Sequence, residues 1–133
     1  MSGPTENLCN VGPVSFVAGG TIAAHKLVKL DSTEGQVVVT TAITEQVVGV
    51  SLKSASSGDL VPVQMYGIAK CIANGSTIVV GSEVMPEASA TGKVALSAGA
   101  TANSCGIALQ ASSTDGDVIM VLLRPSVKGA ANS

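Results

Sequence analysis

An all-β fold is predicted for this chain: a small β-barrel or sandwich of tulip-like outline, built from an internally duplicated β motif. Three observations predict it. Strand-length runs of Val, Ile, Leu and Ala recur between turn signals along the 133-residue sequence. No apolar stripe at helical spacing is sustained. And two stretches read alike, GVSLKSASSGDLVPVQ from Gly49 and GIALQASSTDGDVIMV from Gly106.

Taken in order, residues 1–13 (MSGPTENLCNVGP) are polar and broken by Pro4, Gly12 and Pro13, which reads as an extended N-terminal arm. VSFVAG then starts the strands. KLVKL alternates, DSTEG turns the chain, and QVVVT follows. VVGVSL leads into the turn KSASSGD, and LVPVQ comes after it. GIAKCIA ends at Asn74-Gly75, two residue types that tolerate positive φ and so mark a tight turn. TIVV opens the second half, which KVALS, GIALQ and VIMVLL complete. The Ala-rich segment PEASATGKVALSAGATA competes as a helix, because Ala is a strong helix former. Gly92 and Gly99 interrupt it, and its counterpart in the first copy, KLDSTEGQVVVTTAITE, reads as turn, strand, turn. A single helical turn is compatible with the sequence only near Thr41–Gln46. The tail SVKGAANS is small and polar.

Sliding the chain over itself by 57 positions sets Ser32 on Ser89, Gly35 on Gly92, Val37 on Val94, Gly49 on Gly106 and Leu52 on Leu109. No gap is needed from His25/Ser82 through Ser56/Ser113. One inserted residue then brings Gly58-Asp59 onto Gly116-Asp117 and Val63 onto Val121. The matched Gly, Ser and Asp fall at turns, and apolar positions match apolar positions between them. The organisation expected is an arm over 1–13, a β domain over 14–125 with copies at about 20–67 and 77–124, and a tail over 126–133. Two copies are too few for a solenoid, so each copy is expected to cover the other's apolar face.

Composition narrows the function. There is no Trp, one Tyr (Tyr66) and one Phe (Phe16), so the core must be assembled from small aliphatic contributions of about 1.5–3 kcal/mol each. Such a domain gains from partner surfaces. Seven Lys and Arg are scattered against nine Asp and Glu, with Arg124 the sole Arg. The phosphate-neutralising stripe and the stacking aromatics of a nucleic-acid binder are missing. Cys9, Cys71 and Cys105 are odd in number and irregularly spaced, which describes buried reduced thiols and not a disulfide framework. The N-terminus lacks the charged and apolar regions of a signal peptide, and no apolar run approaches the ~18 residues of a membrane helix. A soluble chain made in a reducing cytoplasm is expected, with no membrane or nucleic-acid partner.

Chemistry has no positive support. Asp31, Glu34, Asp59, Asp115 and Asp117 belong to turn signatures. The DGD at 115–117 lacks the spaced oxygen ligands of a calcium loop and reads as an Asx turn. His25 has no recognisable nucleophile or orienting partner in AAHKLV. Cys105 aligns with Val48, an apolar packing slot. Gly19-Gly20 is not followed by a phosphate-loop Lys-Ser/Thr pair, and the glycosylation triplet at Asn74 matters only in a secretory compartment. No catalytic residue, cofactor or metal is assigned, and the chain is expected not to be an enzyme.

The stretch FVAGGTIAAHKLVKLDSTEGQVVVTTAITEQVVGVSLKSASSGDLVPVQMYGIA, together with its echo in the second half, resembles the small capsid decoration, or cement, proteins of tailed phages. The resemblance spans about residues 16–124 and rests on Gly, Val and turn residues. It departs from the family pattern at His25, which stands where a Gly is common. The resemblance implies a protein on the outer surface of an assembled head, bound to the major capsid protein and to copies of itself, commonly as a homotrimer at threefold or quasi-threefold positions. It also implies an N-terminal arm that joins the shell. Here that arm supplies Pro4, Thr5, Glu6, Asn7, Leu8 and Val11 as the candidate capsid-binding residues. The alternative is a β-rich head spike or adsorption module binding host-surface glycans, for which Tyr66 is the sole aromatic support. A small hydrolase is the third reading.

Overall fold

The structure, a computed structural model, describes residues 13–97 and 104–124. Its secondary structure is all β. Ten strands follow one another: β1 (Val14–Ala18), β2 (Leu27–Leu30), β3 (Gln36–Val39), β4 (Gly49–Ser51), β5 (Leu60–Gln64), β6 (Gly67–Asn74), β7 (Glu83–Pro86), β8 (Val94–Leu96), β9 (Gly106–Ala108) and β10 (Asp115–Leu123). They close into two five-stranded barrels, in the order β1-β3-β2-β4-β5 and β10-β6-β8-β7-β9. Each barrel has one parallel contact, β1 with β3 and β6 with β8, and is otherwise antiparallel. Closure removes the unpaired edges that a short open sheet would expose.

The backbone ladder is written twice, down to single hydrogen bonds. Val48 N donates to Val28 O as Cys105 N does to Val84 O, at 2.8 and 2.9 Å. Ile22 exchanges both bonds with Ala55, and Ile78 does so with Ser112. Leu52 N donates to Pro62 O, and Leu109 N to Met120 O. This also corrects the sequence alignment. Val28 pairs with Gly49 and Val84 with Gly106, so β2 and β7 correspond at 56 positions, not 57. The extra residue of the second copy lies in the turn after β7. The structural counterpart of His25 is therefore Gly81, not Ser82: His25 N donates to Ser51 O and Gly81 N to Ala108 O. Both have positive φ, 65° and 88°. TIVV (77–80) is not a strand either; it contributes only the isolated bridge of Ile78, and the strand is EVMP at β7.

Gly49 and Gly106 explain why the repeated phrase must begin with glycine. Their φ is ordinary, but a Cβ on Gly49 would overlap Gln64 O and stand 2.7 Å from Val63 Cγ1. One on Gly106 would overlap Leu122 O and stand 2.9 Å from Val121 Cγ1. Each glycine lets β4 or β9 cross its partner strand at backbone contact distance.

Aliphatic side chains fill both barrels. Ala18, Ile22, Val28, Val37, Val61 and Val63 form the first interior, with Phe16, Val39, Val48 and Met65 packed on it. The second holds Ala69, Cys71, Ala73, Ile78, Val84, Val94, Cys105, Ile119 and Val121, and Leu27 and Val50 of the first barrel join that same cluster. The barrels are thus fused: the outer side of β2–β4 packs on the second barrel, and Leu27 N donates to Gly92 O across the junction at 2.8 Å.

Candidate functional site

The groups capable of chemistry are mostly committed to structure. Cys71 and Cys105 are buried in the second barrel. Burial pushes both thiols up, Cys105 to about 12, and Cys105 adds to the rise at Cys71, so neither forms a thiolate at neutral pH. The Asn74 carboxamide oxygen accepts from Ser76 N and Oγ, an Asx turn. Asp115 pairs with Lys93 at 2.8 Å, and Asp117 accepts from Ser112 Oγ at 3.1 Å. His25 Nδ1 is buried and has no hydrogen-bond partner among the described residues. Among those residues no three His, Cys, Asp or Glu are grouped to hold a metal. No nucleophile–base pair is formed from His25 and the two cysteines.

Two surfaces stand out instead. The first is a cleft of about 490 Å³ at one mouth of the first barrel, lined by Lys29, Leu30, Glu45, Gln46, Val47, Val48, Met65 and Tyr66. Glu45 braces its wall. Its carboxylate accepts from Thr41 N, Thr41 Oγ1 and Ala42 N and pairs with Lys29. Burial alone would raise the Glu45 carboxyl; the bonds from Lys29, Thr41 and Ala42 outweigh it and hold the group at about 2. Leu30 and Tyr66 are largely exposed at this mouth.

The second surface is the outer side of β6 and β10. Across this antiparallel pair Val118 faces Ile72, Met120 faces Lys70 and Leu122 faces Ile68. Leu122 also faces Ile107 of β9. Ile68 and Val118 are each 52% exposed, and Met120 and Leu122 each 37%. The first barrel shows that the fold does not require this. It keeps one apolar pair, Leu60 facing Val17 where Val118 faces Ile72, but where Met120 and Lys70 stand opposite each other its β5–β1 pair has Pro62 and Ser15, and Gln64 occupies the place of Leu122. A contiguous apolar ladder of this kind marks an interaction surface.

Sequence reasoning placed the capsid contacts on Pro4, Thr5, Glu6, Asn7, Leu8 and Val11, which lie outside the described residues. It missed the ladder. The signal was present: in VIMVLL both alternating phases are apolar, and in GIAKCIA only Lys70 breaks the outward phase, although an antiparallel strand with one wet face should alternate apolar with polar.

The model of the family described as phage cement protein matches residues 10–123. The chain belongs to the phage cement protein family. The match covers both barrels, so the cement protein's duplicated architecture is a property of the whole matched region. Among solved structures, the cement protein is similar to the N base of the head fiber gp8.5 of bacteriophage phi29. The TM-score is 0.65 and the identity 19%, over 88% of this chain and 98% of that one. At that identity the likeness is one of fold. A comparison with curated proteins gave no match. The cement protein is accordingly a phage structural protein of all-β, double-barrel construction.

Proposed function

We propose that this protein binds the outer surface of the assembled phage head and stabilises contacts between major capsid protein subunits, without catalysis. The observation that carries the reading is the apolar ladder of Ile68, Ile72, Val118, Met120 and Leu122 on β6 and β10, in which Met120 and Leu122 stand where the first barrel has Pro62 and Gln64. A surface of closely spaced aliphatics on a rigid barrel fits a protein partner of complementary shape, and its energy comes from area removed from water. The N-terminal segment, with Pro4, Thr5, Glu6, Asn7, Leu8 and Val11, adds a second attachment, and many copies around a head raise the effective concentration of each. The protein resides on the outside of the virion in this reading.

Expanded heads lacking the protein test it. Purified protein should co-sediment with them and raise their resistance to heat and low salt. Val118→Asp with Met120→Asp should abolish binding while leaving the barrels folded. If that variant binds normally, or bound protein leaves head stability unchanged, the reading fails. The fold shared with a head fiber base favours a second reading, a platform or spike for host-surface glycans. That reading expects binding to cells and no gain in head stability.

A further inference from the structure

The two barrels meet asymmetrically, and the asymmetry leaves a matching pair of surfaces open. On the first barrel the rim at Lys26, Leu27 and Val39 receives the β7–β8 turn of the second. A Cβ on Gly92 would lie 2.9 Å from both Lys26 Cβ and Val39 Cγ1, and Gly92 O accepts from Leu27 N. The same contact caps the mouth of the second barrel, where Pro86, Cys105 and Leu123 are buried and Val47 packs on the cluster.

Several of the structural counterparts of these groups are left more open. Lys26, Leu27 and Val39 correspond to Ser82, Glu83 and Leu96, and Glu83 and Leu96 are exposed. Gly92 corresponds to Gly35, whose Cβ position has nothing within 4 Å. Pro86, Cys105 and Leu123 correspond to Leu30, Val48 and Met65, which line the open 490 Å³ cleft. The Glu83–Leu96 rim thus repeats the backbone half of the junction that is used by the first barrel, and the Gly35 turn with the Leu30 mouth repeats the half used by the second.

We infer that copies of this chain associate head to tail by repeating their own internal junction: the Glu83–Leu96 rim of one copy seats on the Gly35 turn and the Leu30–Met65 cleft of the next. The occupant is a second copy because the backbone surface it must match is already present within each chain, with Ser82 and Glu83 in place of Lys26 and Leu27. Such a contact is heterologous, using different patches on the two partners, and it closes into a ring when the rotation between barrels divides a full turn. The inference supplies the self-association within the proposed cement role but does not rest on capsid binding. The purified protein tests it alone, so failure here leaves head binding standing.

The experiment is native mass spectrometry with light scattering on the full chain. Wild type should carry the mass of several copies. Leu96→Asp spoils one half of the contact and Leu30→Asp the other, so each variant alone should fall to a monomer. Mixed together they should form a one-to-one heterodimer, because one still offers an intact cleft and the other an intact rim. Leu60→Ser, at the opposite end of β5 from the cleft, should leave the assembly unchanged. A monomeric wild type, assembly of either Asp variant alone, a mixture that stays monomeric, or loss of assembly in Leu60→Ser each overturns the inference. Should an Asp variant not fold, Leu96→Ser and Leu30→Ser carry the same test.

Discussion

Replacing the only histidine with glycine should stabilise this protein. His25 sits at φ 65°, and its counterpart Gly81 at 88°. The left-handed backbone costs an L-residue about 1–2 kcal/mol that glycine avoids. The buried Nδ1 without a partner among the described residues adds a desolvation cost of about 1–3 kcal/mol. Against this, His25→Gly forfeits the contacts of a half-buried ring, about 1 kcal/mol. It also frees the unfolded chain, worth about 0.4–1 kcal/mol. The balance is a gain of about 2 kcal/mol, which for a domain of this size is a rise in Tm of about 6–10 °C. Urea unfolding followed by circular dichroism should show a higher midpoint with unchanged slope. The reciprocal Gly81→His should lose about 1–2 kcal/mol for the same backbone reason. A His25→Gly variant less stable than wild type would show that the imidazole makes a contact worth more than its strain, and the reasoning would fail.

Three further outcomes follow from the packing and the charges. Gly49→Ala and Gly106→Ala should each cost about 1–3 kcal/mol, and by similar amounts, because each Cβ meets backbone that cannot yield; denaturant midpoints for the pair check this. Cys71 and Cys105 should resist alkylation at pH 8 in the folded protein and react once it is unfolded in urea, as mass spectrometry would show. Glu45 is held at about 2, below the unfolded carboxyl value of about 4.3, so its contribution is present above the higher value and is lost as pH falls through the lower. The stability gap between wild type and Glu45→Gln should therefore narrow between about pH 4.3 and pH 2 in acid titrations of unfolding.

The fold class was legible because turn chemistry and strand chemistry are both local. Gly58 and Gly116, ahead of Asp59 and Asp117, adopt φ of 91° and 95°, so glycine at those turns announces the backbone directly. β7 was not legible. EVMP carries a Glu and a Pro and looks less like a strand than TIVV before it, yet closure of the second barrel needs a strand between β8 and β9. Tertiary pairing decided that case, as it often does for short strands. The one-residue misalignment had a related cause. His25 and Ser82 can be set together without a gap, and only the pairing of Val28 and Val84 with Gly49 and Gly106 reveals that the extra residue lies after β7. The candidate surfaces were least legible, because an outward Val and an inward Val are the same letter until the pleat is fixed.

Duplication makes the surfaces interpretable once the pleat is known, since each barrel serves as the other's control. Positions under geometric constraint agree between copies: Gly49 with Gly106, Gly35 with Gly92, Val28 with Val84, Val37 with Val94. Positions that differ do so without disturbing the ladder, so their identities answer to something beyond the fold. Leu27 and Val50 are buried against the neighbouring barrel, whereas their counterparts Glu83 and Ile107 face outward. Gln64 and Pro62 give way to Leu122 and Met120, two members of the outer ladder. An aromatic-poor chain that must build its core from small aliphatic increments has little surplus to leave on its surface. That it nevertheless lines Ile68, Ile72, Val118, Met120 and Leu122 along one strand pair, where the first barrel has Pro62 and Gln64 at two of the matching positions, is the physical sign that this face is meant to be covered.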